Sequence, residues 1–109
     1  MLIYKIFRAD EWADLVTNGE TDGAPIDVAD GYIHFSTAET VERTAAMYFA
    51  DADNLVLVAV ESEGLAPVKW EEARGGQLFP HLYRKMRMDD VLWHAPLPFV
   101  EGTHRFPPL

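Results

Sequence analysis

Alternation of apolar and polar positions opens the chain. Leu2, Tyr4 and Ile6 fall on one face of an extended segment and Ile3, Lys5 and Phe7 on the other, which predicts a strand over 2–7. The period then lengthens. Trp12, Leu15 and Val16 form an apolar stripe at helical spacing, opened by Asp10 or Ala9 and stopped by Gly19, so a helix is predicted at about 10–18. Residues 19–31 hold three glycines, a proline and several aspartates and read as a loop.

Alternation returns over 32–36, with Ile33 and Phe35 on one face and Tyr32, His34 and Ser36 on the other. A second helix is predicted over about 37–50, buried through Val41, Ala45, Tyr48 and Phe49, with Ser36 and Glu39 spaced as a capping box. Residues 55–61 (LVLVAVE) are apolar at nearly every position, as in a strand covered on both faces. Further strands are predicted at 68–71 and 90–95, and the intervening EARGGQLFPHLYRKM reads as irregular. Pro96, Pro98, Pro107 and Pro108 mark 96–109 as an extended C-terminal tail. No period recurs and no linker divides the chain. The order of elements argues for a single α+β domain over residues 1–109 with two main helices.

Composition agrees with a packed core: 109 residues suit one domain, and 49% are hydrophobic, including 3 Trp, 4 Tyr and 6 Phe. The chain has no cysteine, so disulfides and thiolate metal sites are excluded. The longest apolar run, Leu55–Val60, is far shorter than the roughly 20 residues of a membrane span. Met1–Lys5 runs directly into a strand pattern and lacks the layout of a signal peptide, so a cytoplasmic protein is expected, with no membrane partner.

Charge narrows the partners. Eighteen acidic and 9 basic residues give a net charge of −9, which repels a phosphate backbone and argues against nucleic acid. Lys69, Arg74, Arg84, Lys85 and Arg87 nevertheless fall in one short stretch. That is either a local positive site for a small anionic ligand or a solvated loop with its charges turned outward.

Two clusters carry the candidate chemistry. His34 shares its predicted face with Tyr32 and Ser36, and Ser36 and Thr37 stand at a predicted helix start, where free amides attract anions. The alternative is a core histidine with satisfied nitrogens and a serine that only caps. In the second cluster, Gly75 and Gly76 allow close approach to a ligand or positive φ in a turn, and Arg74 offers a fork for phosphate or carboxylate. His81 and Tyr83 face the same way in an extended segment, with Glu71 as a carboxylate partner. The alternative is an ordinary turn followed by aromatic packing. His34, His81, His94 and His104 show no metal-binding spacing, and phosphate-loop, dinucleotide and nucleophile-elbow motifs are all lacking.

The segments IYKI (3–6), EW (11–12), GYIHFST (31–37), LVLVAV (55–60) and RGGQLFPHLY (74–83) together resemble a bacterial domain-of-unknown-function family, DUF952. That family in turn resembles, distantly, the ADP-ribosyltransferase-like fold, a small split β-sheet domain. The resemblance implies that Tyr4–Lys5 and Gly31–Thr37 occupy the positions that frame NAD in the transferases, where an aromatic and a hydroxyl of the second strand flank the nicotinamide. Lys5 stands where the fold has a ribose-binding histidine; an ammonium accepts no hydrogen bond but holds a phosphate or carboxylate as a point charge. Glu71 is the candidate for the late glutamate that steadies the oxocarbenium-like transition state.

Two function classes follow. One is an ADP-ribosyltransferase-like or degenerate nucleotide-binding protein, in which His34, Glu71 and His81 are catalytic and Lys5, Tyr32, Ser36, Thr37, Arg74, Gly75, Gly76 and Tyr83 bind ligand. No resident cofactor is expected, and NAD enters only as a substrate. The other is a non-enzymatic domain that binds a small anion or a partner's peptide. Trp70, Trp93 and the proline-rich tail leave a dimerisation module as a third class.

Overall fold

A computed structural model describes the backbone of residues 1–109 and every side chain except that of Arg74. In chain order, strand β1 (Leu2–Phe7) leads into helix α1 (Ala9–Asn18), strand β2 (Glu20–Thr21) and helix α2 (Pro25–Asp30). Strand β3 (Ile33–His34), helix α3 (Val41–Tyr48) and strands β4 (Leu55–Glu61) and β5 (Val68–Glu72) follow. Strands β6 (Leu78–Leu82), β7 (Met86–Arg87), β8 (Val91–Leu97), β9 (Phe99–Val100) and β10 (Thr103–His104) complete the chain.

Two three-stranded antiparallel sheets dominate the described residues, ordered β1-β4-β8 and β3-β6-β5. Strand β4 is apolar throughout because both of its faces are covered. On one face, Ile3, Phe7, Val58 and Val60 pack against Ile33, Phe35 and Leu82 of the second sheet, with Leu15 of α1. On the other, Tyr4, Ile6, Leu57 and Leu97 pack under Val41 and Ala45 of α3. This is a small α+β domain.

Segment 32–36 joins the two sheets. Ile33 and His34 pair with Leu82 and His81 of β6, whereas Ser36 exchanges two 2.8 Å backbone hydrogen bonds with Tyr4 of β1. A single extended segment thus leaves one sheet and enters the other within three residues.

Several sequence expectations are corrected. Residues 19–31 are not only loop: Pro25 opens α2 and Gly31, at φ 84°, closes it, so there are three helices among the described residues. The irregular stretch after residue 72 contains β6, the middle strand of the second sheet, although Pro80 removes one donor from its ladder. Helix α3 starts at Val41, and the Ser36–Glu39 capping box does not form. The Thr37 amide donates to Thr40 Oγ1 (2.9 Å) and the Ser36 hydroxyl pairs with Thr44 Oγ1 (3.0 Å). Tyr48, expected inside, is exposed. The tail is only partly extended: β9 and β10 form a hairpin whose turn residues, Glu101 (φ 53°) and Gly102 (φ 78°), supply the two positive φ angles of a tight loop.

Candidate functional site

The outer face of the second sheet collects rings and carboxylates. Because β3, β6 and β5 pair in register, His34, His81 and Lys69 lie in one row across it. Ile33 and Phe35 point the other way into the core, which leaves Tyr32 and His34 facing outward. The Tyr32 ring stacks on His81 at 4.2 Å, and lies 4.7 Å from His34 and 5.1 Å from Tyr83. Four rings, from β3, β6 and the residues flanking them, form one continuous patch.

Each imidazole is held by a carboxylate. Glu71 Oε1 meets His81 Nδ1 at 2.8 Å and accepts the Tyr83 hydroxyl at 2.6 Å. That hydrogen bond pushes the Tyr83 phenol up to about 12, with desolvation adding to it, and holds Glu71 below the usual carboxylate range. His81 is buried, while Glu71 stays half-exposed at the sheet edge. The Lys69 ammonium lies 4.9 Å from the centroid of the Tyr83 ring.

His34 rests on a different support, one that sequence reasoning missed. Asp27, fully buried on α2, receives Lys5 Nζ (2.7 Å) and the Ala24 amide (2.7 Å) on Oδ2. Its Oδ1 receives the His34 amide (3.0 Å) and meets His34 Nδ1 at 2.6 Å. Burial alone raises the pKa of such a carboxyl. The His34 hydrogen bond and the Lys5 charge outweigh burial and bring Asp27 down to about 2. Gly23 makes room for this carboxylate: a Cβ there would lie 2.2 Å from Asp27 Oδ2. The far nitrogen of His34, Nε2, is 2.9 Å from Asp30 Oδ2 at the end of α2, and the imidazole is 32% exposed. The signal for Asp27 was present in Ala24-Pro25-Ile26-Asp27, a proline at the first helical position followed by an acid in the first turn.

The other candidates divide. Tyr83 and Tyr32 line a cavity of about 250 Å³ with Asp22, Asp27, Arg84 and Lys85, whereas His34, His81 and Glu71 do not line it. Lys5 is buried in its ion pair with Asp27. Ser36 and Thr37 lie buried beneath α3, with their hydroxyls bonded to Thr44 and Thr40. Gly75 and Gly76 take φ of 63° and 78° in the β5–β6 turn, where Gly75 lines a second cavity of about 330 Å³ with Arg43, Met47 and Phe79. The Arg74 side chain lies outside the described residues. Two residues of the basic stretch are paired: Arg84 makes a two-nitrogen contact with Asp90 (2.9 and 3.0 Å), and Lys85 pairs with Asp22 (2.9 Å). Among the described residues no group of three or more His, Cys, Asp or Glu is arranged to hold a metal. No helix among the described residues is long and apolar enough to cross a membrane.

Fold and face together define an α+β protein with a histidine–tyrosine–carboxylate patch on an antiparallel sheet. The chain belongs to the family described as "Protein of unknown function (DUF952)", whose model matches residues 6–94. It is similar to protein CC0527 of Caulobacter crescentus. The crystal structure of that protein is 43% identical, with a TM-score of 0.92 over 96% of this chain and 94% of that one. Its solution structure, also 43% identical, gives 0.84 over 94% and 90%. No curated protein matches the chain.

Proposed function

We propose that the protein binds a small nucleotide of the NAD class on the outer face of the β3-β6-β5 sheet, in the manner of an ADP-ribosyltransferase-like enzyme. One observation carries this reading: the half-exposed Tyr32 ring, set among His34, His81 and Tyr83, lines a cavity that Lys85 also lines. A planar base or nicotinamide stacks on such rings, each stacking contact contributing about 1–3 kcal/mol. Lys85 pairs with Asp22 at the surface, where exchanging one anion for a ligand phosphate costs little. Glu71, beside His81, is the carboxylate that would steady a developing oxocarbenium ion. The passage of segment 32–36 from one sheet to the other fits the split sheet of that fold.

Calorimetric titration with NAD and ADP-ribose tests it. Binding is expected, weakened about tenfold or more by Tyr32→Ala. No heat up to millimolar ligand from the folded protein would overturn it.

The placement of Lys5, Ser36 and Thr37 favours a second reading, a binding domain without turnover. The ammonium and hydroxyls that the resemblance assigns to the ligand are spent inside the protein. Under this reading NAD binds and is not hydrolysed. Hydrolysis that disappears in His34→Ala would refute it.

A further inference from the structure

We infer that Asp27 is a positioning residue that holds His34 with its proton on Nδ1, leaving Nε2 as the atom that exchanges a proton with a bound ligand's hydroxyl or N–H. The inference rests on the reading of the ring face as a ligand site.

Donors and acceptors around Asp27 fix the direction of its bond to His34. Asp27 carries no proton to give, since its carboxyl titrates far below neutral pH. It is surrounded by donors: the Lys5 ammonium and the Ala24 amide on one oxygen, the His34 amide on the other. At 2.6 Å from that second oxygen, His34 Nδ1 must therefore be the donor. A neutral imidazole has one proton, so Nε2 then presents a lone pair. The buried Lys5–Asp27 pair thus sets the tautomer of a ring that is 32% exposed and whose other nitrogen meets the half-exposed Asp30.

Nε2 faces Asp30 Oδ2 at 2.9 Å. This is a hydrogen bond only when the ring carries both protons. In the neutral ring the lone pair and the carboxylate repel, and Asp30, 39% exposed at the end of α2, has solvent to turn into. A ligand O–H or N–H then takes its place. The step is a proton transfer: the N–H bond forms at Nε2, the ligand's O–H or N–H bond breaks, and its electron pair stays on the ligand atom. The imidazolium formed keeps its Nδ1 proton on Asp27, which remains a carboxylate, as in other carboxylate-oriented histidines.

The test reads the ring nitrogens of His34 by NMR on ¹⁵N-histidine-labelled protein, at a pH where the ring is neutral. The ligand-free protein is expected to show a protonated Nδ1 and a bare Nε2. Asp30→Asn should leave that pattern unchanged. Asp27→Asn should move the proton to Nε2, because Lys5 and Ala24 claim the amide oxygen and turn the amide nitrogen toward His34. A protonated Nε2 in the unmutated protein would overturn the inference even if Asp27→Asn failed to fold. Adding NAD should shift the Nε2 resonance. Calorimetric heat without any Nε2 response would also overturn the inference while leaving the binding site standing. Absence of heat counts against the binding site alone, since the tautomer is read without ligand.

Discussion

His34 and His81 stand opposite each other on paired strands with their ring centroids 5.2 Å apart, and each places its Nδ1 on a carboxylate. The two supports differ in surroundings. Asp27 is wholly buried and meets a buried ammonium, whereas Glu71 is 38% exposed and also takes a phenol. One imidazole is anchored to the core and the other to the sheet edge.

Lys5→Met is therefore expected to destabilise the protein by about 3 kcal/mol. Removing the ammonium leaves a buried carboxylate without its counter-charge, which is far costlier than losing a surface pair. Urea unfolding of the variant beside the parent measures it. A loss under about 1 kcal/mol would mean that the pair is solvated and not buried.

Acid should expose the same carboxylate. The folded Asp27 titrates at about 2 against an ordinary value of 3.8, so its contribution is complete above the unfolded value and disappears as pH falls through the folded one. A loss of about 2 kcal/mol is expected between pH of about 4 and about 2. Urea midpoints collected over that range read it, and the step should shrink in Lys5→Met.

Glu71→Gln should release Tyr83. With the carboxylate present the phenol ionises at about 12, because its proton is shared with Glu71 Oε1. An amide removes the charge, and Tyr83 ionisation should fall toward its ordinary value of 10. Phenolate absorbance during alkaline titration follows the change. Identical curves for the two proteins would rule out the shared proton.

Gly23→Ala should disturb the site without touching any ring. Its φ of 93° disfavours a side chain, and the added methyl would collide with the Asp27 carboxylate. A destabilisation of about 2 kcal/mol or more is expected in urea. The His34 Nδ1 proton signal should move with it. Gly31→Ala serves as a control. It carries a similar φ of 84° but has no atom within 4 Å of the new methyl, so the strain should appear without the change at His34.

Much of the outer face was legible from alternation. Period two alone sets Tyr32 and His34 against Ile33 and Phe35, and the GYIHFST stretch keeps that period. His81 and Tyr83 were legible as residues two apart that face the same way when extended, and Glu71 as a carboxylate partner for them. Asp27 was harder to see because one acid among several in a glycine-containing stretch looks like solvated loop. Its importance comes from Lys5, 22 residues away, and from a glycine that leaves space for it. Strand β6 was hidden by Pro80 and by the glycine pair before it, both of which read as turn chemistry.

By itself, the sequence determined which side chains face together within each segment, because strand and helix periods are local properties of the backbone. It also determined the doubly covered strand β4, whose apolar run leaves it no stable place at a surface. Tertiary structure alone decided which oxygen each donor reaches. It drew Lys5 and Asp27 into one buried pair, turned Ser36 and Thr37 under α3, and set His34 across from His81. Partners so distant along the chain meet only through strand pairing and core packing, and no local pattern records which donor will satisfy a buried charge.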